Sequence, residues 1–259
     1  MATIFLTSNL NCYDKSSNKS TQIDNTNHFV DELKKELKNI KKIVYICSSP
    51  ENFEKTDLYS SILTKSFKID GFGVEDVTVV DNRFTGDLKQ EIISADVVFL
   101  MGGHCPTQLA YFKKINLSEI LKHYQGVIIG QSAGSMDMAK LAYIQPESEE
   151  EFRDKNFKKQ QQGLGLIDFN IMPHMNRARV DEIDGTTTFD MCVQDSKIFP
   201  HYGIYDGGFI KVKNHQITAF GKTLLFKNKK CYKLCDDFEH YALKGDYSEN
   251  KPSNILVDI

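Results

Sequence analysis

Five short apolar runs punctuate the first half of the chain: TIFLT, KIVYIC, VTVV, DVVFLM and GVIIG. They are rich in β-branched residues and unbroken by polar positions, which is how strands covered on both faces of a parallel sheet read. Between the first two, Phe29, Leu33, Leu37 and Ile40 recur at three or four residues, with Asp31, Glu32, Lys34 and Lys35 among them. That spacing predicts a helix laid on the sheet, with Thr26 or Asn27 as its N-cap. Strands alternating with amphipathic stretches predict an α/β fold: an open, mostly parallel sheet with helices on both faces.

After GVIIG the chain runs QSAGSMDMAKLA, small residues followed by helix formers, so a sharp strand-to-helix turn is expected there. The next stretch, PESEEEFRDKNFKKQQ, is charged and lacks apolar periodicity. It reads as a surface excursion, either a loop over a site or a solvated connector. From Phe169 onward, close-spaced turn signals and alternating residues, as in GIYDGGFIKVKNHQITAFGKTLLF, predict β-hairpins that finish the fold. No internal repeat interrupts this order, and one domain over 1–259 is expected.

Composition narrows the partners. A net charge of −3 removes the positive field that a general nucleic-acid binder needs. With 41% hydrophobic and 11% aromatic residues the chain has the material for a core, which excludes wholesale disorder. The amino terminus has no basic region before its apolar run, and no run approaches the ~20 residues that span a bilayer. A cytoplasmic protein with no membrane partner is therefore expected. The six cysteines are scattered without metal-ligand spacing, so they read as reduced thiols, and no metal or cofactor is expected. Nothing in the sequence fixes the number of copies in an assembly.

The sharpest chemical signal is Gly130-Gln131-Ser132-Ala133-Gly134, between an apolar strand and a helix. A nucleophile on such a turn has a strained backbone, and the residues two before and two after it must be small. Ser132 would then stand at the carboxyl end of the sheet, with the Ala133 amide turned toward a developing oxyanion. A second turn, Met101-Gly102-Gly103-His104, closes the preceding strand at the same sheet edge, and its amides are candidates for the other half of that hole. Among seven histidines, His28 and His123 read as helix-surface residues and His215 as part of a hairpin turn. His174 follows an apolar strand and Pro173, on a loop of the kind that carries sites. Asp206, bracketed by glycines in Gly203-Ile204-Tyr205-Asp206-Gly207-Gly208, is the candidate carboxylate to orient an imidazole, or else the corner of a type I′ hairpin.

Taken together, GQSAG after a strand, the Gly-Gly turn before it, the apolar-Pro-His segment and GIYDGGFIKV resemble peptidase family S51, the dipeptidase E-like aspartyl dipeptidases, and more distantly cyanophycinase. The resemblance implies a fold like a class I glutamine amidotransferase domain, which is flavodoxin-like, and a serine exopeptidase acting on short peptides. It implies Ser132 as nucleophile, His174 as base and Asp206 as acid, where dipeptidase E-like members carry Glu. Oxyanion amides would come from Ala133 and Gly102-Gly103. An arginine after the histidine, Arg179 or else Arg177, would hold an acidic substrate side chain. The family's Gly-Gly-Gly-Asn turn stands here as Met101-Gly102-Gly103-His104.

Two rivals remain open on sequence. An α/β-hydrolase esterase shares the elbow but takes its histidine late in the chain, which would be His240, with an acid among Asp181, Asp184, Asp190, Asp195 and Asp206. A catalytically silent member of the same fold would bind a small molecule or partner. Glutamine amidotransfer is disfavoured because that chemistry uses cysteine at the elbow, and no basic neighbour marks Cys105 as an activated thiol.

Overall fold

The five apolar runs form the strands Thr3–Thr7, Lys42–Ile46, Asp76–Val80, Val97–Leu100 and Val127–Gln131. They are seen in a computed structural model that describes residues 2–248; Met1 and 249–259, the ends of the expected domain, lie outside the described residues. All five are parallel, ordered from the edge as Asp76–Val80, Lys42–Ile46, Val97–Leu100, Val127–Gln131 and Thr3–Thr7. Alternate side chains point to opposite faces, yet Phe5, Leu6, Val44, Tyr45, Val98, Phe99, Ile128 and Ile129 are all fully buried. Both faces of these four strands are therefore covered, as unbroken apolar runs require, whereas the edge strand Asp76–Val80 buries only Val80 and leaves Val77 exposed.

Beyond Thr3–Thr7 the sheet continues antiparallel through Phe209–Lys213, Gln216–Phe220 and His240–Leu243, eight strands in all. A second, four-stranded sheet holds Ile171–Met172, His201–Ile204, Thr223–Lys227 and Lys230–Cys235. Two expected hairpins close with both central residues in the left-handed region, Asn214-His215 and Asn228-Lys229. This is the geometry of two-residue primed turns. Tyr205–Gly208 is no hairpin corner: it joins a strand of the small sheet to one of the large sheet, which frees Asp206 from turn duty.

The predicted helix spans Phe29–Glu36 and buries Phe29, Val30 and Leu33. Its start differs from expectation. His28 occupies the N-cap position in the left-handed region, and Asn25 Oδ1 accepts the Val30 amide hydrogen at 2.8 Å. Asn27 is buried and bonds instead to the Gly207 carbonyl and the Phe238 amide. The helix after the elbow is a single turn, Ala133–Met136, and the chain then enters the strand Leu141–Tyr143. The charged excursion is ordered too, with a helix Glu149–Arg153 capped by Ser148 and a strand Gln160–Gln162 paired to Leu141–Tyr143.

A long helix, Phe53–Ile69, has no counterpart among the sequence expectations. Its buried face is Thr56, Ser60, Ile62, Leu63, Ser66 and Phe67. Half of these are small polar residues, which hide the periodicity. Among the described residues, no helix is long and apolar enough to cross a membrane.

Candidate active site

Thr3–Thr7 and Val127–Gln131 end side by side, and the residues just beyond them build the site. Ser132 has φ 53° and ψ −120°, a conformation that L-residues avoid and that costs on the order of 1–3 kcal/mol. Its neighbours explain how that strain is held. A Cβ on Gly134 would lie 2.2 Å from the Leu100 carbonyl oxygen, and one on Gly130 2.7 Å from the Gly134 carbonyl oxygen. The turn can approach the adjacent strand only because both positions are glycine. Thr7 completes the clamp. Its carbonyl accepts the Ser132 amide at 3.0 Å and the Ser135 hydroxyl at 2.9 Å, while its own hydroxyl donates to the Gly130 carbonyl at 2.7 Å.

The Met101–His104 turn packs against this elbow. A Cβ on Gly102 would be 3.0 Å from the Ser132 Cβ, and one on Gly103 2.3 Å from the Ser48 hydroxyl, so both glycines are set by close approach. Ser48 donates to the Gly102 carbonyl at 2.8 Å. Among the described residues no acceptor takes the amide of Gly102 or Gly103. Ala133 is the first helical residue, so its amide also lacks an intrahelical partner.

His174 comes from the end of Ile171–Met172, with φ 61°, a second left-handed residue at the site. Its Nε2 lies 2.9 Å from the Ser132 hydroxyl and its Nδ1 2.7 Å from Asp206 Oδ1. Both groups are mostly buried, at 23% and 17% side-chain exposure, so water competes little for these bonds. Burial pushes the Asp206 carboxyl up, but hydrogen bonds from His174 and Ser8 outweigh it and hold the group below its ordinary range. Such a carboxylate stays ionised and fixes the imidazole tautomer with hydrogen on Nδ1.

Arg179 is not at the cleft. Its guanidinium lies 3.8 Å over the Phe189 ring, held there by the cation–π attraction and by the buried face of Thr188–Asp195. Arg177 pairs with Asp181, four residues on in the same turn segment. The cleft beside Ser132 has a volume of about 370 Å³, and its cations are Lys15 and Lys55. Among the described residues no carboxylate lines it, and Ile62, Leu63, Phe99 and Met101 form apolar wall. Neither lysine was legible as a site residue, since one sits in a polar hairpin and the other on the unforeseen helix. His104 bonds through Nε2 to Glu151 at 2.7 Å and through Nδ1 to Thr107 at 2.8 Å. It thereby ties the charged excursion to the Gly-Gly turn.

Other candidates lie elsewhere. His240 sits on the edge strand of the large sheet, with three strands between it and Val127–Gln131. Cys105 is buried at the start of Cys105–Lys114, and burial pushes its thiol well up, opposite to what a thiolate nucleophile needs.

The family model for peptidase family S51 matches residues 15–220. No curated protein matches the chain. Among solved structures, a peptidase from an acI-B1 Actinobacterium aligns over 94% of this chain and 97% of its own, with TM-score 0.61 and 13% identity, a likeness that shows the fold. A protein assigned as a peptidase E of Listeria monocytogenes EGD-e aligns over 90% of this chain and 98% of its own, with TM-score 0.48 and 16% identity.

Proposed function

The chain belongs to peptidase family S51, and on that premise we propose that it is a serine exopeptidase that hydrolyses short peptides through Ser132, His174 and Asp206. The observation that supports this reading most is the unbroken line Asp206 Oδ1, His174 Nδ1, His174 Nε2, Ser132 Oγ, with links of 2.7 and 2.9 Å, ending on a serine with left-handed backbone. In this mechanism His174 takes the Ser132 proton as Oγ attacks the scissile carbonyl. The oxyanion develops toward the free amides of Ala133, Gly102 and Gly103. His174 then gives the proton to the departing amine, leaving an acyl group on Ser132 that water releases by the same steps in reverse. Asp206 remains ionised and stabilises the imidazolium.

A cleft of about 370 Å³ lies near the low end of the roughly 300–1,000 Å³ of small-ligand sites, which supports a peptide of few residues rather than an extended protein chain. The enzyme reads as a cytoplasmic single domain that needs no cofactor. Preference for an amino-terminal aspartate is the finer proposal. Its support from Arg179 is gone, and any such preference rests on Lys15 and Lys55.

Labelling with a fluorophosphonate tests the nucleophile. Wild type should be modified at Ser132, and Ser132→Ala should lose both labelling and peptide hydrolysis, by on the order of 10⁶-fold in turnover. Turnover unchanged in Ser132→Ala would sink the assignment, and a folded wild type that resists the probe would favour a silent binding member of the fold.

A further inference from the structure

Ser8 follows the first strand directly and is fully buried, yet the mechanism above makes no use of it. Its hydroxyl donates to Asp206 Oδ1 at 2.6 Å and accepts the backbone N–H of His174 at 2.8 Å. It also stands 3.5 Å from His174 Nδ1. One hydroxyl thus touches both ends of the Asp206–His174 bond. We propose that Ser8 is the positioning residue of this site, fixing the His174 backbone and the Asp206 carboxylate in one register. The assignment rests on the triad reading.

His174 holds a left-handed backbone after Pro173, a conformation that persists only when its surroundings over-determine it. The 2.8 Å bond to Ser8 is the acceptor for the amide of that strained residue, so it opposes relaxation of the loop. Asp206 Oδ1 meanwhile receives two donors, Ser8 Oγ and His174 Nδ1. The geometry of the second is constrained by the first, because both converge on one oxygen. Ser8 itself cannot drift, since the preceding Thr7 is bonded to the elbow on three sides. The first strand therefore carries, in two successive residues, the pin for Ser132 and the pin for its partners.

Removing the hydroxyl leaves the His174 amide without an acceptor and lets the carboxylate rotate. The carboxylate also loses a donor that favours its ionised form. Loss of that donor moves the acid limb of activity upward in pH, because Asp206 must be ionised to orient His174. Besides Asp206, Glu147 interacts electrostatically with His174, as it does with His104, Glu151 and Arg177; Asn176 adds a donor to Asp206.

The test reads fluorophosphonate labelling of Ser132 against pH in wild type, Ser8→Ala, Ser8→Cys and Ser8→Thr, with melting temperatures alongside. Ser8→Ala should label about 10- to 100-fold more slowly at the pH optimum, the size expected for an ångström-scale misplacement of a catalytic group. Its acid limb should move up by about half a unit or more. Ser8→Cys keeps the volume but offers only a weak donor, so it should also be slow, whereas Ser8→Thr keeps the hydroxyl and should recover most of the rate. Labelling within twofold of wild type in Ser8→Ala and Ser8→Cys, with the limb unmoved, overturns the proposal. Loss of labelling in Ser132→Ala alongside an unaffected Ser8→Ala overturns the Ser8 assignment alone; persistent labelling of Ser132→Ala overturns the triad reading and this one with it.

Discussion

The elbow and the histidine loop each hold a residue in left-handed backbone, Ser132 at φ 53° and His174 at φ 61°, but they do so by different physics. The elbow is held by exclusion. Gly130 and Gly134 let the chain press against the Leu100 carbonyl, and nothing larger fits. The histidine loop is held by attraction, through Ser8, Asp206 and the small sheet behind them. Exclusion is insensitive to pH and leaves a sequence signature in small residues. Attraction depends on protonation states and is spread over residues far apart in the chain: Ser8, His174 and Asp206 are linked across 166 and 32 positions.

The largest effect should come from breaking exclusion. In Gly134→Ala the new methyl would start 2.2 Å from the Leu100 carbonyl oxygen and 2.8 Å from that of Met101, backbone atoms at the carboxyl end of a central strand. Unfolding free energy should fall by about 3 kcal/mol or more, and labelling of Ser132 should vanish with it. Denaturant unfolding followed by probe labelling of the folded fraction checks both. A stable, fully labelled Gly134→Ala would show that the elbow has slack that its packing denies.

Breaking attraction should separate activity from stability. Asp206→Asn keeps the shape of the loop but presents the wrong partner to His174 Nδ1, and turnover should drop by about 10⁴-fold, as in other serine triads. The folded state should survive, because the carboxylate's bonds are to the site rather than to the core. Since Asp206 is held below its ordinary range, the stability it adds is present above the ordinary carboxylate pKa and lost as pH falls through the lowered one. The difference in melting temperature between wild type and Asp206→Asn should therefore shrink below about pH 4.

How much of this contrast could be read from the chain follows the same division. Exclusion shows in sequence: Gly130, Ser132 and Gly134 announce themselves by spacing, and the five strands by their unbroken apolar runs. The His174 and Asp206 positions were legible through Pro173 and the flanking glycines. Their support was not, since Ser8 is one serine among many until the first strand is laid beside the small sheet. Arg179 was misplaced for a related reason. Its position after the histidine suggested a carboxylate clamp, but the Phe189 ring captures the guanidinium first. The long helix Phe53–Ile69 stayed hidden because Thr56, Ser60 and Ser66 occupy its buried stripe. With it stayed hidden Lys55, one of the two cations of the cleft. On this division Arg179→Ala should change neither labelling nor the ratio of Asp-first to neutral-first dipeptide cleavage by more than about twofold, the range of ordinary surface changes. Lys55→Ala should lower that ratio if an acidic side chain is bound. A dipeptide panel run on both variants decides it, and equal loss in Arg179→Ala would return the clamp to that residue.

The two supports should also part company on acidification. His201 lies in the small sheet that carries His174 and Asp206, stacked between Tyr143 and Phe226 with ring centroids at 4.9 Å from each. Burial drives its imidazole down to about 4, against the opposing bond from Nδ1 to the Phe199 carbonyl, and its Nε2 has no partner among the described residues. The unfolded chain takes up a proton near pH 6.5 that the folded sheet refuses until about 4. Stability should therefore fall as pH drops through that window, by on the order of 3 kcal/mol in total. At the elbow the glycine packing and the Thr7 hydroxyl carry no charge, and the titrating group there, the buried Asp137 that ends the elbow helix, has its carboxyl pushed up by burial, which favours the folded state as pH falls. Urea unfolding at pH 7, 6, 5 and 4 should show the slope in wild type, and His201→Phe should flatten it even where the lost bond to Phe199 lowers the whole curve. A slope that survives in His201→Phe would place the acid sensitivity elsewhere and remove the small sheet as its source.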